Sequence, residues 1–226
     1  MKIIFAPLVF IALMITSFTV NQKKTKVLFF GDSITQGGVG PKGYITKLDS
    51  MIKQQGLGNS YDLVGAGISG NKVYDLYLRM ETDVLEKNPD VVIIYVGVND
   101  VWHKATSGTG TDADKFEKFY RAIIKKLTDK NIKVIVCTPA VIGERTDNSN
   151  QQDGDLNQYS SIIRNIAKNL SLTVCDLRKD FMTYLQANNT ANAEKGILTT
   201  DRVHPSEAGS LFLANEMWQA IKTINK

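Results

Sequence analysis

Short apolar runs alternate with stretches of helical spacing along most of the chain. Five apolar runs predict strands: Lys26–Gly31, Tyr61–Gly65, Val91–Gly97, Lys133–Thr138 and Leu172–Asp176. Between and after them, apolar residues recur every three or four positions. This spacing predicts helices over Tyr44–Gln54, Val73–Lys87, Asp114–Asp129, Leu156–Asn169, Asp180–Gln186 and Ser206–Ile221. The chain therefore reads as an alternation of strand and helix.

The predicted strands are continuously apolar and do not alternate between apolar and polar residues. This pattern is typical of strands that are buried on both faces, and hence of a parallel sheet between two helical layers. We expect an α/β protein, a three-layer α/β/α sandwich with a flavodoxin-like five-stranded parallel sheet. Ligands of such folds bind at the carboxyl ends of the strands. The polar stretch 143–158 is predicted to be the one long loop and a rim or lid of the site.

The first twenty residues differ from the rest of the chain. A basic start at Met1-Lys2 is followed by Ile3–Val20, which contains no charged residue. This is the outline of a secretory signal peptide, so we expect an exported protein, periplasmic or secreted, with a single domain over 26–226. The apolar run is also long enough for an uncleaved membrane anchor, and that alternative stays open.

Composition limits the classes of function. The chain is 43% hydrophobic and 22% charged, as in ordinary globular proteins, and its net charge is +4. The basic run 23–26 is too short to indicate nucleic-acid binding. The two cysteines, Cys137 and Cys175, each end an apolar run, and we expect buried free thiols.

Four short segments carry residues suited to catalysis, and three of them directly follow predicted strands. They are Gly31–Thr35, Gly65–Asn71, Gly97–Asp100 and Asp201–Pro205. Each alone is also typical of an ordinary turn. Together they supply a serine, several hydrogen-bond donors, and an Asp and a His three residues apart, as in the base and orienting residue of a catalytic triad. The chain has only two histidines, His103 and His204, which narrows the choice of base.

The second segment also has the GxGxxG spacing of dinucleotide-binding loops. That function requires the motif after the first strand and an acidic residue at the end of the next strand. Here the motif follows the second strand, and Glu86 precedes the next strand. A glycine-rich loop equally lets a backbone N–H approach a substrate, which favours an oxyanion donor.

The four segments resemble, in order, the conserved blocks of the SGNH/GDSL hydrolases, and the resemblance extends from Val27 to the last helix. It rests on Gly31-Asp32-Ser33, Gly70, Gly97-x-Asn99-Asp100 and Asp201-x-x-His204. It implies an esterase or acylhydrolase that needs no metal or cofactor. It also implies Ser33 as nucleophile, His204 as base, Asp201 as its orienting residue, and an oxyanion hole formed by Ser33, Gly70 and Asn99.

The second block departs from the family pattern. The family often has Asn and Asp where this chain has Gly65 and Asn71. Neither position is a primary catalytic one, but the departure leaves the choice between Gly67 and Gly70 as oxyanion donor open.

The substrate is predicted less directly. Asp32, Trp102 and His103 flank the catalytic segments and are possible substrate-binding residues, and Trp102 is suited to stacking on a sugar ring. Because the long loop is polar, no apolar acyl channel is expected. We therefore expect a small acyl group such as acetyl on a carbohydrate, with no nucleic-acid or obligate protein partner. A lysophospholipase or thioesterase is the alternative within the class.

Three alternatives from other classes stay open. A metallophosphoesterase would use Asp32, Asn99 and His204 as metal ligands, with Asp100 or His103 as extras. A non-catalytic binding module on the same fold is the second, because a fold alone does not determine function. An electron-transfer flavodoxin is the third.

Overall fold

The computed structural model describes residues 23–224, so the predicted leader lies outside the described residues. Its five strands are β1 (Thr25–Gly31), β2 (Tyr61–Gly67), β3 (Val91–Tyr95), β4 (Lys133–Cys137) and β5 (Thr173–Cys175). They form one parallel sheet in the order β2-β1-β3-β4-β5. The predicted doubly wound α/β fold is confirmed.

Eight α-helices and one short 3-10 helix connect the strands in the described part of the chain. The α-helices are α1 (Ser33–Gly38), α2 (Tyr44–Gln54), α3 (Val73–Asp83), α4 (Val98–Ser107), α5 (Ala113–Thr128), α6 (Asp153–Leu170), α7 (Leu177–Asn188) and α8 (Glu207–Ile224). The helix predicted over Val73–Lys87 breaks after α3, and its end is the 3-10 turn Leu85–Lys87. Helices α1 and α4 were not predicted, because the polar residues of their first turns are typical of loops.

The core consists of the central strands and the apolar faces of the helices around them. All five residues of β3 are buried, as are Val27–Phe30 of β1. Helix α2 packs against α8, while α3, α5 and α6 pack in sequence along their own layer. Burying each large apolar side chain contributes roughly 1.5–3 kcal/mol to folding, so this core holds the helices against the sheet.

The register of the sheet decides where the candidate site lies. Gly31, the last residue of β1, is paired with Gly67 of β2 on one side and with Tyr95 of β3 on the other. The three segments that follow these strands therefore leave the sheet side by side at its carboxyl edge, as the rule for open α/β sheets requires.

The prediction of a long polar loop over 143–158 is wrong for its second half, because α6 begins at Asp153. Its first half is held to the body of the protein and is not a free lid. Glu144 is fully buried, and the buried Asp153 carboxylate pairs with Arg178 at 2.8 Å. Polar residues indicate solvent exposure in a sequence, but here internal partners satisfy them.

Two further expectations concern the cysteines and the membrane. Cys137 and Cys175 are register partners on β4 and β5, and both are buried free thiols, as predicted. Within residues 23–224, no helix has the length and apolar character needed to cross a membrane.

Candidate active site

Ser33 is the first residue of α1, immediately after β1. The preceding Asp32 caps this helix, since its carboxylate accepts the Ile34 N–H at 3.0 Å. Asp32 is only 2% exposed, and burial raises its pKa to about 6 against the effect of the Ile34 N–H. Asp32 is thus a buried helix cap, and its contact with substrate stays a prediction.

His204 links Ser33 to Asp201. The imidazole Nε2 lies 2.9 Å from Ser33 Oγ, and Nδ1 lies 2.7 Å from Asp201 Oδ2. The other Asp201 oxygen accepts the backbone N–H groups of His204, at 2.8 Å, and Val203, at 3.1 Å. Partial burial acts to raise the pKa of Asp201, but these N–H groups and the imidazole outweigh it and hold the pKa below its ordinary value.

The loop after β2 presents a free backbone N–H beside Ser33. The Ser69 N–H donates to Gln36 Oε1 at 2.7 Å and the Asn71 N–H to the Ile68 carbonyl at 3.3 Å. The intervening Gly70 N–H makes no hydrogen bond to any described residue, and the same holds for the Ser33 N–H. Two unpaired donors thus lie at this edge of the sheet, the arrangement that binds an anion.

The two glycines of this loop have different surroundings. Gly70 has a φ of 76°, in the left-handed region that favours glycine, and the space around it is open except for the His103 ring. Gly67 is the last residue of β2, and a Cβ there would lie 2.1 Å from the Gln36 backbone nitrogen. Close packing of β2 against α1 explains Gly67, and this favours Gly70 as the donor.

Asn99 lies in the first turn of α4, directly after the sharp turn at Gly97, whose φ is 133°. Its side chain is buried, and Nδ2 donates one hydrogen to the Asn71 carbonyl at 3.1 Å. That bond orients the amide, and the second Nδ2 hydrogen stays available. The structure thus brings all five residues predicted for catalysis to one end of the sheet.

Sequence reasoning missed two cationic side chains that hold the oxyanion loop. The Arg79 guanidinium donates to the Gly31 carbonyl at 2.7 Å, to the Ala66 carbonyl at 3.0 Å and to Asn71 Oδ1 at 2.6 Å. The Lys72 ammonium donates to the Gly70 carbonyl at 3.0 Å. Arg79 lies on a predicted amphipathic helix and Lys72 directly before it, where cationic residues are typical of a solvated surface, so no signal in the sequence distinguishes them.

Sequence reasoning also missed Glu144, which holds the base segment. Its buried carboxylate accepts three successive backbone N–H groups, of Ile197 at 2.8 Å, Leu198 at 2.7 Å and Thr199 at 2.5 Å. The backbone that Glu144 holds in this way pairs with the backbone of residues 204–206, which includes His204. The Thr200 N–H donates to the His204 carbonyl at 2.9 Å, and the Ser206 N–H donates to the Leu198 carbonyl at 2.8 Å.

Asp100, next to the predicted oxyanion donor, is also structural. It is fully buried and accepts the Val73 N–H at 3.1 Å. Burial raises its pKa to about 7, against the lowering effects of the Thr111 hydroxyl and the Val73 N–H. The metallophosphoesterase alternative requires Asp32 and can add Asp100, but both carboxylates face the interior and already accept backbone N–H groups.

Trp102 and His103 lie on α4 beside the oxyanion loop. His103 Cε1 is 3.9 Å from the point that a Cβ on Gly70 would occupy. The ring centroids of Trp102 and His103 are 5.8 Å apart. Burial and the nearby Lys72 ammonium lower the pKa of His103. Trp102 is half-buried against the core. Their contact with substrate stays a prediction.

A crevice of about 700 Å³ opens beside Ser33 and His204. This volume lies within the range of sites that bind drug-sized ligands. A serine, a histidine and an aspartate in this order of contact, at the carboxyl edge of a parallel sheet and beside unpaired donors, define a serine hydrolase.

The chain belongs to the GDSL-like lipase/acylhydrolase family, whose model matches residues 29–211. It is accordingly a carboxylic ester hydrolase, as the sequence predicted. It is 31% identical to an acetylxylan esterase of Geobacillus stearothermophilus, over 87% of this chain and 93% of that protein.

Solved structures agree with this assignment. The fold is similar to that of an acetyl xylan esterase, AlAXEase, with a TM-score of 0.86 and 61% identity over 87% of this chain and 99% of the other. It is also similar to Axe2, an acetylxylan esterase from Geobacillus stearothermophilus, with a TM-score of 0.77 and 28% identity. That comparison covers 89% of this chain and 96% of Axe2.

Proposed function

We propose that this esterase removes acetyl groups from acetylated xylan or its oligosaccharides, with Ser33 as nucleophile, His204 as base and Asp201 as orienting residue. The observation that carries the proposal is the contact series from Asp201 to His204 at 2.7 Å and from His204 to Ser33 at 2.9 Å. Two relatives named as acetylxylan esterases support the choice of substrate.

The geometry suits acyl transfer. His204 Nε2 takes the proton of Ser33 as Oγ attacks the carbonyl carbon of the ester, and Asp201 stabilises the resulting imidazolium. The backbone N–H groups of Ser33 and Gly70 and the Asn99 amide donate to the oxygen on which negative charge develops. His204 then protonates the leaving alcohol, and water releases acetate from the acyl-enzyme by the same steps in reverse.

The related structures support these roles. Two structures of Axe2 are of catalytic mutants, one with a serine and the other with a histidine replaced by alanine. In this chain Ser33 and His204 are the serine and histidine in direct contact. Half exposure of Asp201 also suits its role, because a carboxylate with a low pKa stays ionised beside a protonated imidazole.

The test is acetate release from acetylated xylan by the wild type, Ser33→Ala and a control, Ser69→Ala. Loss of the nucleophile is expected to lower kcat by about 10⁴-fold or more without changing the melting temperature. Ser69 is an exposed serine on the neighbouring loop, so its variant is expected to retain activity. Full activity in Ser33→Ala would exclude the proposed nucleophile. Faster hydrolysis of lysophospholipid than of acetylated xylan would move the substrate to the lipid class.

We also propose that residues 1–20 direct export and that 26–226 form the catalytic domain. The uncharged run of Ile3–Val20 supports this, as does a 24% identical Bacillus subtilis protein named as the lipoprotein YqeF. Export suits an enzyme whose substrate is a polysaccharide. N-terminal sequencing of the protein recovered outside the cell tests it. Activity that stays with the cytoplasmic fraction would contradict it.

A further inference from the structure

The crevice beside Ser33 and His204 is lined mainly by two segments of the chain. One runs from Gly37 in the last turn of α1 to Tyr44 at the start of α2, and the other from Pro205 to Ser210 in the first turn of α8. Ser33 and His204 themselves line it as well. Gly70 and Asn99, the oxyanion donors, are not among the residues that line it.

The chemistry of the reaction indicates which part of the ester faces this crevice. In the tetrahedral intermediate the carbonyl oxygen faces the oxyanion donors, and the leaving oxygen must lie within hydrogen-bond reach of His204 Nε2 to receive its proton. The alcohol part of the ester therefore leaves on the His204 side of Ser33. The crevice lies on that side.

We propose that this crevice is the subsite for the sugar of the acetylated substrate, with Glu207 and Lys42 at its mouth as residues that determine specificity. The inference rests on the proposed function, because it assigns one part of that ester to one part of the site. The crevice has a volume of about 700 Å³, which is more than an acetyl group occupies and is large enough for a larger alcohol.

The lining suits a sugar in particular. Pro41, Pro205 and Ile34 provide apolar surface for the face of a sugar ring. Glu207 provides a polar edge, since its carboxylate is held 3.1 Å from the Lys42 ammonium and 3.3 Å from that of Lys47. A carboxylate held between two ammonium groups is pre-positioned to accept a hydroxyl hydrogen, while Lys42 donates to a neighbouring hydroxyl.

Two variants test the subsite. Glu207→Ala removes the polar edge, and Gly37→Phe places a ring in the crevice. Gly37 is an exposed helical residue on the crevice wall, and a Cβ there meets no atom within 4 Å, so the substitution is compatible with the fold. Gly154→Phe on α6 and Glu117→Ala on α5 are matched controls. Gly154 has the same open surroundings, and Glu117 is a partly exposed glutamate that is likewise paired with a cation.

The measurement is kcat/KM for an acetylated xylo-oligosaccharide and for ethyl acetate, whose alcohol is too small to fill the crevice. The ratio of the two values is expected to fall about tenfold in Glu207→Ala and further in Gly37→Phe, mainly through KM for the oligosaccharide. Both control variants are expected to keep the wild-type ratio.

An unchanged ratio in both test variants, which includes an equal fold-loss of kcat/KM on the two esters, would overturn the subsite. Failure of the proposed function looks different. In that case the wild type releases no acetate from the oligosaccharide, and the subsite assignment falls with it.

Discussion

The two sides of the active site are built in different ways. Ser33, Gly70 and Asn99 follow the ends of three adjacent parallel strands, so the pairing of the sheet brings them together. Asp201 and His204 lie outside the sheet, in the segment between α7 and α8, where a single antiparallel bridge between Thr199 and Pro205 is the regular backbone pairing. On that side one buried carboxylate, Glu144, holds the backbone of residues 197–199, which pairs with the His204 segment.

The pKa values of the carboxylates on the two sides are also shifted in opposite directions. On the nucleophile side Asp32 and Asp100 are buried, and burial raises their pKa values to about 6 and about 7. On the base side Asp201 is half exposed with a lowered pKa. Of the three, only Asp201 has a charge in the proposed mechanism. The comparison shows that carboxylates next to a site can serve to cap turns and helices and need not take part in the chemistry.

The largest effect of the variants below is expected on the nucleophile side. Asn99→Ala removes one proposed oxyanion donor of this side. Loss of one such donor typically costs about 3 kcal/mol of transition-state stabilisation, so kcat should fall about 100-fold with little change in KM. Steady-state kinetics on p-nitrophenyl acetate measure it. Asn215→Ala on α8, another asparagine bonded to a backbone carbonyl, is the control. A change confined to KM would show that Asn99 binds substrate and does not stabilise the oxyanion.

A smaller effect is expected from the base side. Glu144→Gln replaces an acceptor of three N–H groups by an amide, whose NH₂ faces at least one N–H. We expect kcat to fall about tenfold and the protein to be destabilised by about 2 kcal/mol, because a buried N–H loses its partner.

Asp153→Asn is the matched control for Glu144, because it also converts a buried carboxylate to an amide, beside Arg178 and away from Ser33. It should lower the melting temperature and leave kcat close to that of the wild type when both are assayed well below unfolding. Equal losses of kcat in the two variants would show that Glu144 acts only through general stability.

The same contrast between the two sides explains what the sequence could predict. Apolar runs indicated five buried strands, and residues that follow parallel strands must meet at one edge, so Ser33, Gly70 and Asn99 could be grouped from the sequence alone. Asp201 and His204 could be paired because three-residue spacing is local. Glu144 could not be predicted, since its partners lie more than fifty residues away and its polar surroundings resemble a solvated loop. Helix α4 was missed because the polar Asn99-Asp100 pair hides its first turn.

The smallest effect on activity is expected from Asp100→Asn, which tests the buried charge on the nucleophile side. The variant keeps an oxygen for the Val73 N–H and gains an NH₂ group next to Thr111. Because Asp100 contacts no reacting atom, kcat should stay within about threefold of the wild type.

The pH dependence of the free energy of unfolding should have opposite signs for Asp100 and Asp201. The pKa of Asp100 in the folded state, about 7, lies above that of an unfolded aspartate. Between about pH 4 and 7 the folded state therefore holds a proton that the unfolded state has lost, and stability falls as pH rises. Asp100→Asn should become more stable relative to the wild type between about pH 5 and 8, by about 1 kcal/mol or more, in urea unfolding followed by circular dichroism. Asp201→Asn should show the opposite trend, and at lower pH. The lowered pKa of Asp201 contributes stability that is present above the ordinary aspartate pKa of about 4 and is lost as pH falls through the folded pKa. This variant should therefore gain stability relative to the wild type as pH falls below about 5, and its relative stability should change little between about pH 5 and 8. A relative stability that rises with pH in both variants would mean that the carboxylates of the two sides do not have opposite pKa shifts.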